Sequence, residues 1–290
     1  MTALRRVGTQ RDILGESPVW DAEASALFWV DIRRPALRRL HPGTGALDTR
    51  AMPDLVGAVA LAGGGRLLVA LGGEVVLFDW DTGQTEPVAS LQDRPPGHRF
   101  NDGRCDRQGR FWVGTMHNDT RAAEGTLFRL GAGCLTPVRG GVCIPNSLAW
   151  SPDGRTMYFA DSLRHAITTH PYDPGTGAMG EGREIVRTTP PGFPDGTAVD
   201  AEGFLWNAEF NAGRVVRYAP DGRVDQVVPV PVARPTSCGF GGPGLRTLYV
   251  TTTSQAMTED QLRDNPLAGA LLAFEPGVPG LPEPVWNPSA

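Results

Sequence analysis

The sequence contains no lysine, so all 27 of its basic residues are arginine. Schiff-base enzymes, pyridoxal phosphate enzymes and P-loop nucleotide hydrolases each depend on a lysine amine, and all three are excluded. Cysteine is scarce. Cys105, Cys134, Cys143 and Cys238 form no CxxC pair and no metal-finger spacing, which predicts reduced, unpaired thiols. No apolar run approaches the roughly 18 residues that a membrane helix needs, and the opening MTALRRVGTQRDILGESP has no signal-type hydrophobic region. A cytoplasmic protein without a membrane partner is therefore expected. No GxSxG occurs, which argues against a serine-hydrolase elbow. Helical periodicity is nearly absent. Only Met257–Asn265 predicts a short helix, with Thr258 and Gln261 placed like a capping box. The formal net charge of −5 argues against a nucleic-acid partner.

What the chain has instead is turns. Its 290 residues include 37 glycines and 26 prolines, scattered singly between apolar runs rather than gathered into low-complexity tracts. Short β-type runs recur: LFWVD from Leu27, LLVAL from Leu67, FWVGT from Phe111, MYFAD from Met157, LWNAE from Leu205 and LYVTT from Leu248. Their spacings are 40, 44, 46, 48 and 43 residues. Turn clusters such as AGGGR, DRQGR and SPDGR precede nearly all of them, and a second strand-like run follows each. A period of about 40–50 residues carrying several strands and Gly/Asp turns is the signature of a β-propeller blade. A helical solenoid would show helical repeats and polar caps, which are missing here. The prediction is an all-β, six-bladed β-propeller with four-stranded antiparallel blades around a central channel. It occupies 1–290 as one domain, and the N-terminal segment completes the last blade.

Each recurring run is preceded, across a turn, by a stretch rich in small residues: SPVWDA, GAVAL, NDGRCD, NSLAWS, DGTAVD and TSCGFG. These suit the innermost strands, which crowd around the axis. Counting back from the anchors, Glu16, Asn101, Asn146, Asp195 and Ser237 each fall 10 or 11 residues earlier, while blade 2 offers only Val56 and Gly57. Equivalent positions in a ring lie at one height, so five blades should aim a polar group at one mouth of the channel. Carboxylates brought together in a partly desolvated site repel unless a proton or cation lies between them. An oxygen-only set of Glu16, Asn146 and Asp195 suits a divalent cation and leaves positions open for water or substrate. The competing explanation is local: Asn and Asp are common at strand starts because they bond their own backbone.

Other features read more weakly. His165 and His170, five apart in an expected strand, should face opposite sides and share no metal. His41 sits in a turn, and His98 and His117 have no partner at ligand spacing. Residues 239–244 match GxGxxG but open no helix and read as a turn. Asp79 and Asp81 lack the rest of a calcium loop. Trp20, Trp29, Trp112 and Trp206 lie in strand runs and are expected to pack between blades.

Five segments resemble one known family: LGESPVW around Glu16, RFNDGRCDRQGRFWVGTM from Arg99, PNSLAWSPDGRTMYFADS from Pro145, PDGTAVDAEGFLW from Pro194 and PTSCGFGG from Pro235. This is the senescence-marker-protein, regucalcin and gluconolactonase family of six-bladed sugar lactonases, and the likeness runs from about residue 12 to 276. The resemblance implies that Glu16, Asn146 and Asp195 hold one divalent metal, the same three chosen by phase, and that Arg99 and Asn101 contact a sugar lactone. Counting without gaps from Asn101, the family's substrate-binding glutamate falls on Asp119, with Glu124 nearby as an alternative.

The implied reaction is hydrolysis of an aldonolactone (glucono-, xylono- or arabinonolactone) to its aldonic acid in carbohydrate catabolism. Asp195 would also accept a proton from the attacking water, and Arg99, Asn101 and Asp119 would orient the sugar. Oxygen ligands favour Ca²⁺, Mg²⁺ or Mn²⁺, with Zn²⁺ and Fe²⁺ still open. Two rivals stand: a metal-dependent esterase or phosphotriesterase, which should have an apolar mouth, and a non-enzymatic calcium-binding propeller. A closed ring has no edge that demands a partner, so a monomer or weak oligomer is expected.

Overall fold

Apolar residues fill both faces of each anchor strand, so these strands are buried on two sides rather than one. The computed structural model, which describes residues 4–119 and 122–290, shows the consequence. Six antiparallel sheets form a ring, each running outward from an innermost strand. The innermost strands are Gly15–Asp21, Val56–Gly63, His98–Cys105, Pro145–Trp150, Phe193–Val199 and Pro235–Gly241, in blades 1 to 6. Blade 4 carries one addition, the two-residue strand Ala178–Met179 beside its outer strand Arg183–Arg187. Arg5–Val7 pairs with Leu271–Phe274 as the outermost strand of blade 6, so the two ends of the chain close the ring.

Six hydrophobic clusters hold the ring, one at each blade interface. Successive residues of a strand point to opposite interfaces. Leu27 and Trp29 face blade 6, while Phe28 and Val30 face blade 2. The four tryptophans named above pack in this way: Trp20 stacks on Tyr249 across the closure at 6.4 Å, and Trp112 meets Trp150 across the third interface. Where an indole N–H is buried, a carboxylate often accepts it, as Asp12 does for Trp29 and Asp200 for Trp206. The short helix Glu259–Asp264 forms with the capping box of Thr258 and Gln261 in place.

Two local expectations change. His165 is not in a strand; it ends a short 3₁₀ turn with φ 56° and stacks on Phe193. Gly239 and Gly241 of the GxGxxG match lie on an innermost strand, and only Pro243–Leu245 form a turn, of 3₁₀ type. All four cysteines are free. No helix among the described residues is long and apolar enough to cross a membrane.

The two mouths of the channel differ. One carries the turns between first and second strands, and the C-terminal segment lies over it. Ala201 N–H donates to Pro279 O, Trp286 N–H to Leu61 O and Asn287 N–H to Gly109 O. The other mouth, where the innermost strands begin, is open.

Candidate functional site

Every innermost strand carries a register irregularity near its start: after Glu16, Val56, Phe100, Asn146, Pro194 and Pro235. A β-bulge of this kind re-aims a side chain and interrupts pairing. In blades 1 and 4 the residue after the polar one, Ser17 or Ser147, adopts φ 54° or 58°, and this turns the strand. The repeat of bulges is why equally phased residues meet.

The open mouth is a cavity of about 300 Å³. Glu16, Arg99, Asn101, Asn146, Asp195 and Asp119 all line it. Glu124 does not; it lies 3.8 Å from His98 Nε2 in a separate depression between blades 2 and 3. Ser237 does not reach the cavity either. Blade 6 places its bulge at Thr236, before Ser237 rather than after it as in blades 1 and 4, and Ser237 packs against Gly196. Thr236 Oγ1 donates to Gly15 O at 2.6 Å instead.

The blade 2 exception has a steric cause. A Cβ on Gly57 would meet Phe100 O at 2.5 Å and Phe100 C at 2.6 Å, so the strand bearing Arg99 and Asn101 occupies the space a side chain would need. Gly57→Ala must move backbone. It should lower stability by about 1–3 kcal/mol, read as a shifted urea midpoint at unchanged slope; an unchanged midpoint would contradict the packing.

Hydrogen bonds set the cavity floor. Arg99 Nη1 donates to Asn101 Oδ1 at 2.7 Å and to Phe100 O at 2.8 Å, and its Nε donates to Asn118 Oδ1 at 3.0 Å. Asn101 Nδ2 donates to Pro145 O and to Asn146 Oδ1. Asn146 Nδ2 donates to Ser162 Oγ, which donates on to Pro194 O. Ser147 Oγ and Asn207 Nδ2 donate to the Asp195 backbone oxygen at 2.5 and 2.9 Å. The polar groups of blades 3, 4 and 5 are thus tied into one rigid frame.

Glu16 and Asp195 are under strain of charge. Glu16 is 9% exposed and Asp195 8% exposed, and neither forms a salt bridge to a described residue. Burial pushes Glu16 up to about 8, with the charge of nearby Asp102 adding to it. Burial, then Glu16 and then Asp102 raise Asp195 well above the usual carboxylate range. Arg99 is lowered to about 10, by burial first and by neighbouring Arg33 second. Two buried, mutually repelling carboxylates beside an amide oxygen make a hard donor set that fits a divalent cation. The described residues hold no group of three His, Cys, Asp or Glu placed for a metal, so the amide of Asn146 is needed to complete this one.

Several lining residues were not singled out from sequence: Arg33, Asn118, Ser162, Phe193, Arg234 and Gln255. Most come from loops at strand ends, where the repeat spacing gives no guide. Asn118, next to Asp119 in the sequence, braces Arg99 through its side-chain oxygen. The mouth is also less polar than expected, since Leu14, Met116, Ile144, Leu163, Phe193 and Phe210 contribute.

Comparison with known proteins agrees with this architecture. Residues 14–254 match the model of the SMP-30/Gluconolactonase/LRE-like region. The chain is 38% identical over 288 residues to a 6-deoxy-6-sulfogluconolactonase of Pseudomonas putida, covering 98% of each. It is 36% identical to a pentonolactonase of Haloferax volcanii, covering 98% of this chain and 97% of the other. Among solved structures, the calcium-binding protein regucalcin from Agrobacterium tumefaciens superposes with a TM-score of 0.94 at 32% identity, covering 98% and 97%. The chain therefore belongs to the SMP-30/gluconolactonase/LRE-like family.

Proposed function

We propose that the protein hydrolyses a sugar lactone to its aldonic acid, with a divalent cation held by Glu16, Asn146 and Asp195. The observation that carries this reading is the pair of buried, uncompensated carboxylates in an open cavity of sugar size. Relatives across nearly the whole chain that are named as lactonases support the choice of reaction.

The cation, when bound, supplies Lewis-acid stabilisation of the developing oxyanion. The remaining roles belong to the chain. Glu16 and Asn146 hold the cation. Asp195 also takes a proton from the attacking water at a carboxylate oxygen and returns it to the ring oxygen as that leaves. The frame from Asn101 through Asn146 and Ser162 fixes these groups before substrate arrives, which avoids reorganisation during the reaction. Arg99, already braced by Asn118, Asn101 and its own strand, presents a remaining N–H to a sugar hydroxyl, with Asp119 of the same blade as acceptor.

A second reading is favoured by one observation: the regucalcin structure is described as a calcium-binding protein. One experiment separates the two. Purified protein is stripped with chelator and tested against several aldonolactones with Ca²⁺, Mg²⁺, Mn²⁺, Zn²⁺ or Fe²⁺ restored one at a time. The lactonase reading expects turnover lost on stripping and recovered with at least one ion. Cation binding with no turnover of any lactone would favour the non-enzymatic reading.

A further inference from the structure

Buried arginines elsewhere in the molecule are paired with acids: Arg38 with Asp12, Arg110 with Asp106, Arg217 with Asp200. The three arginines of the cavity, Arg33, Arg99 and Arg234, form no salt bridge with any described residue. Arg99 is tied into the floor by Asn101, Phe100 and Asn118. Arg33 and Arg234 are different: they stand at the rim, on the arc formed by blades 6 and 1.

Arg33 comes from the turn between the second and third strands of blade 1. Its Nε donates to Gln255 Oε1 at 3.2 Å, and Gln255 is itself fixed by its N–H to Thr253 Oγ1 at 2.9 Å. Its guanidinium makes one other hydrogen bond to a described residue, a long one of 3.4 Å to Asn118 O. Arg234 directly precedes the innermost strand of blade 6. Its guanidinium lies 6.0 Å from the Phe210 ring and makes no hydrogen bond to a described residue. The cavity's ionisable lining is three acids, Glu16, Asp195 and Asp119, against three arginines. With a divalent cation at Glu16 and Asp195 the filled cavity would carry a surplus of two positive charges.

We infer that Arg33 and Arg234 form an oxyanion subsite, and that the preferred substrate is a lactone bearing a sulfonate, phosphate or carboxylate at the end of the sugar remote from its carbonyl. This inference rests on the lactonase reading for the substrate but not for the subsite. A planar guanidinium fork matches such a group with parallel N–H bonds, and a partly desolvated mouth strengthens each of them. A neutral sugar would leave both arginines without a partner of opposite charge.

The test compares glucono-1,5-lactone with its 6-deoxy-6-sulfo and 6-phospho analogues and with the lactone of the corresponding dicarboxylic acid. The expected result is a kcat/KM at least tenfold higher for one or more anionic lactones. That preference should fall to about unity in the Arg33→Gln/Arg234→Gln double variant and shrink as salt is raised. The three anionic arms identify which oxyanion fits best. A wild-type ratio near one, or a ratio the double variant leaves unchanged, would overturn the inference. Calorimetry on cation-loaded protein gives a readout without turnover: 6-deoxy-6-sulfogluconate should bind at least tenfold more tightly than gluconate, and the double variant should erase the difference. Equal binding of the two would refute the subsite even if no lactone is hydrolysed. Turnover of neutral lactones without any anion preference would leave the lactonase reading intact and end only this one.

Discussion

Asp195→Ala is expected to lose both lactone turnover and cation retention. The residue is buried, its backbone oxygen is clamped by Ser147 and Asn207, and its carboxylate faces Glu16 across the cavity. Removing it leaves one carboxylate and one amide, too few donors to hold a hard cation against water. A loss of at least a thousandfold in kcat/KM is expected, about 4 kcal/mol of transition-state stabilisation. Asp195→Asn separates the two roles: it keeps the shape and one oxygen donor but neither the charge nor the proton acceptor. Its cation affinity should fall while some binding remains, and its turnover should fall as far as that of the alanine variant. Circular dichroism guards against loss of fold. An alanine variant that hydrolyses lactones at the wild-type rate would refute the assignment.

Cation affinity should climb steeply with pH up to about 8. In the cation-free site burial holds Glu16 protonated until about 8 and keeps Asp195 well above its ordinary range. A divalent cation must displace those protons, so the apparent affinity drops about tenfold per unit of pH for each proton displaced. Between pH 8 and pH 6 the fall should be about a hundredfold or more. Titration calorimetry in two buffers of different ionisation enthalpy counts the protons released, expected to be one to two per cation. Stability moves the opposite way. Folded cation-free protein keeps a proton on Glu16 that the unfolded chain gives up near pH 4.5. The stability this contributes is complete below that pH and is lost as pH rises to about 8. Glu16→Gln or saturating cation should flatten that decline. An affinity that does not change between pH 6 and 8 would show that these carboxylates are not the ligands.

The inter-blade packing and the site differ in how far they could be read in advance. Glu16, Asn146 and Asp195 were found by counting because each sits beside a bulge at the same height of its blade, and the bulges recur with the repeat. Ser237 obeyed the same count and failed. Blade 6 puts its bulge before this residue, at Thr236, whereas blades 1 and 4 put theirs after Glu16 and Asn146. The gapless count put the substrate-binding carboxylate on Asp119 with Glu124 as the alternative; Asp119 lines the cavity, whereas Glu124 lies beside His98.

The chain by itself determined the six-fold repeat, the all-β ring and the phase that brings Glu16, Asn146 and Asp195 to one cavity. Those depend on apolar periodicity and turn chemistry, which act over a few residues and recur six times. The tertiary structure alone decided the charge of the mouth. Arg33, Asn118, Arg234 and Gln255 come from loops of unequal length on blades 1, 3 and 6, and no local pattern ties them together. Closing the ring sets them around one cavity, where burial and proximity make the two arginine charges matter.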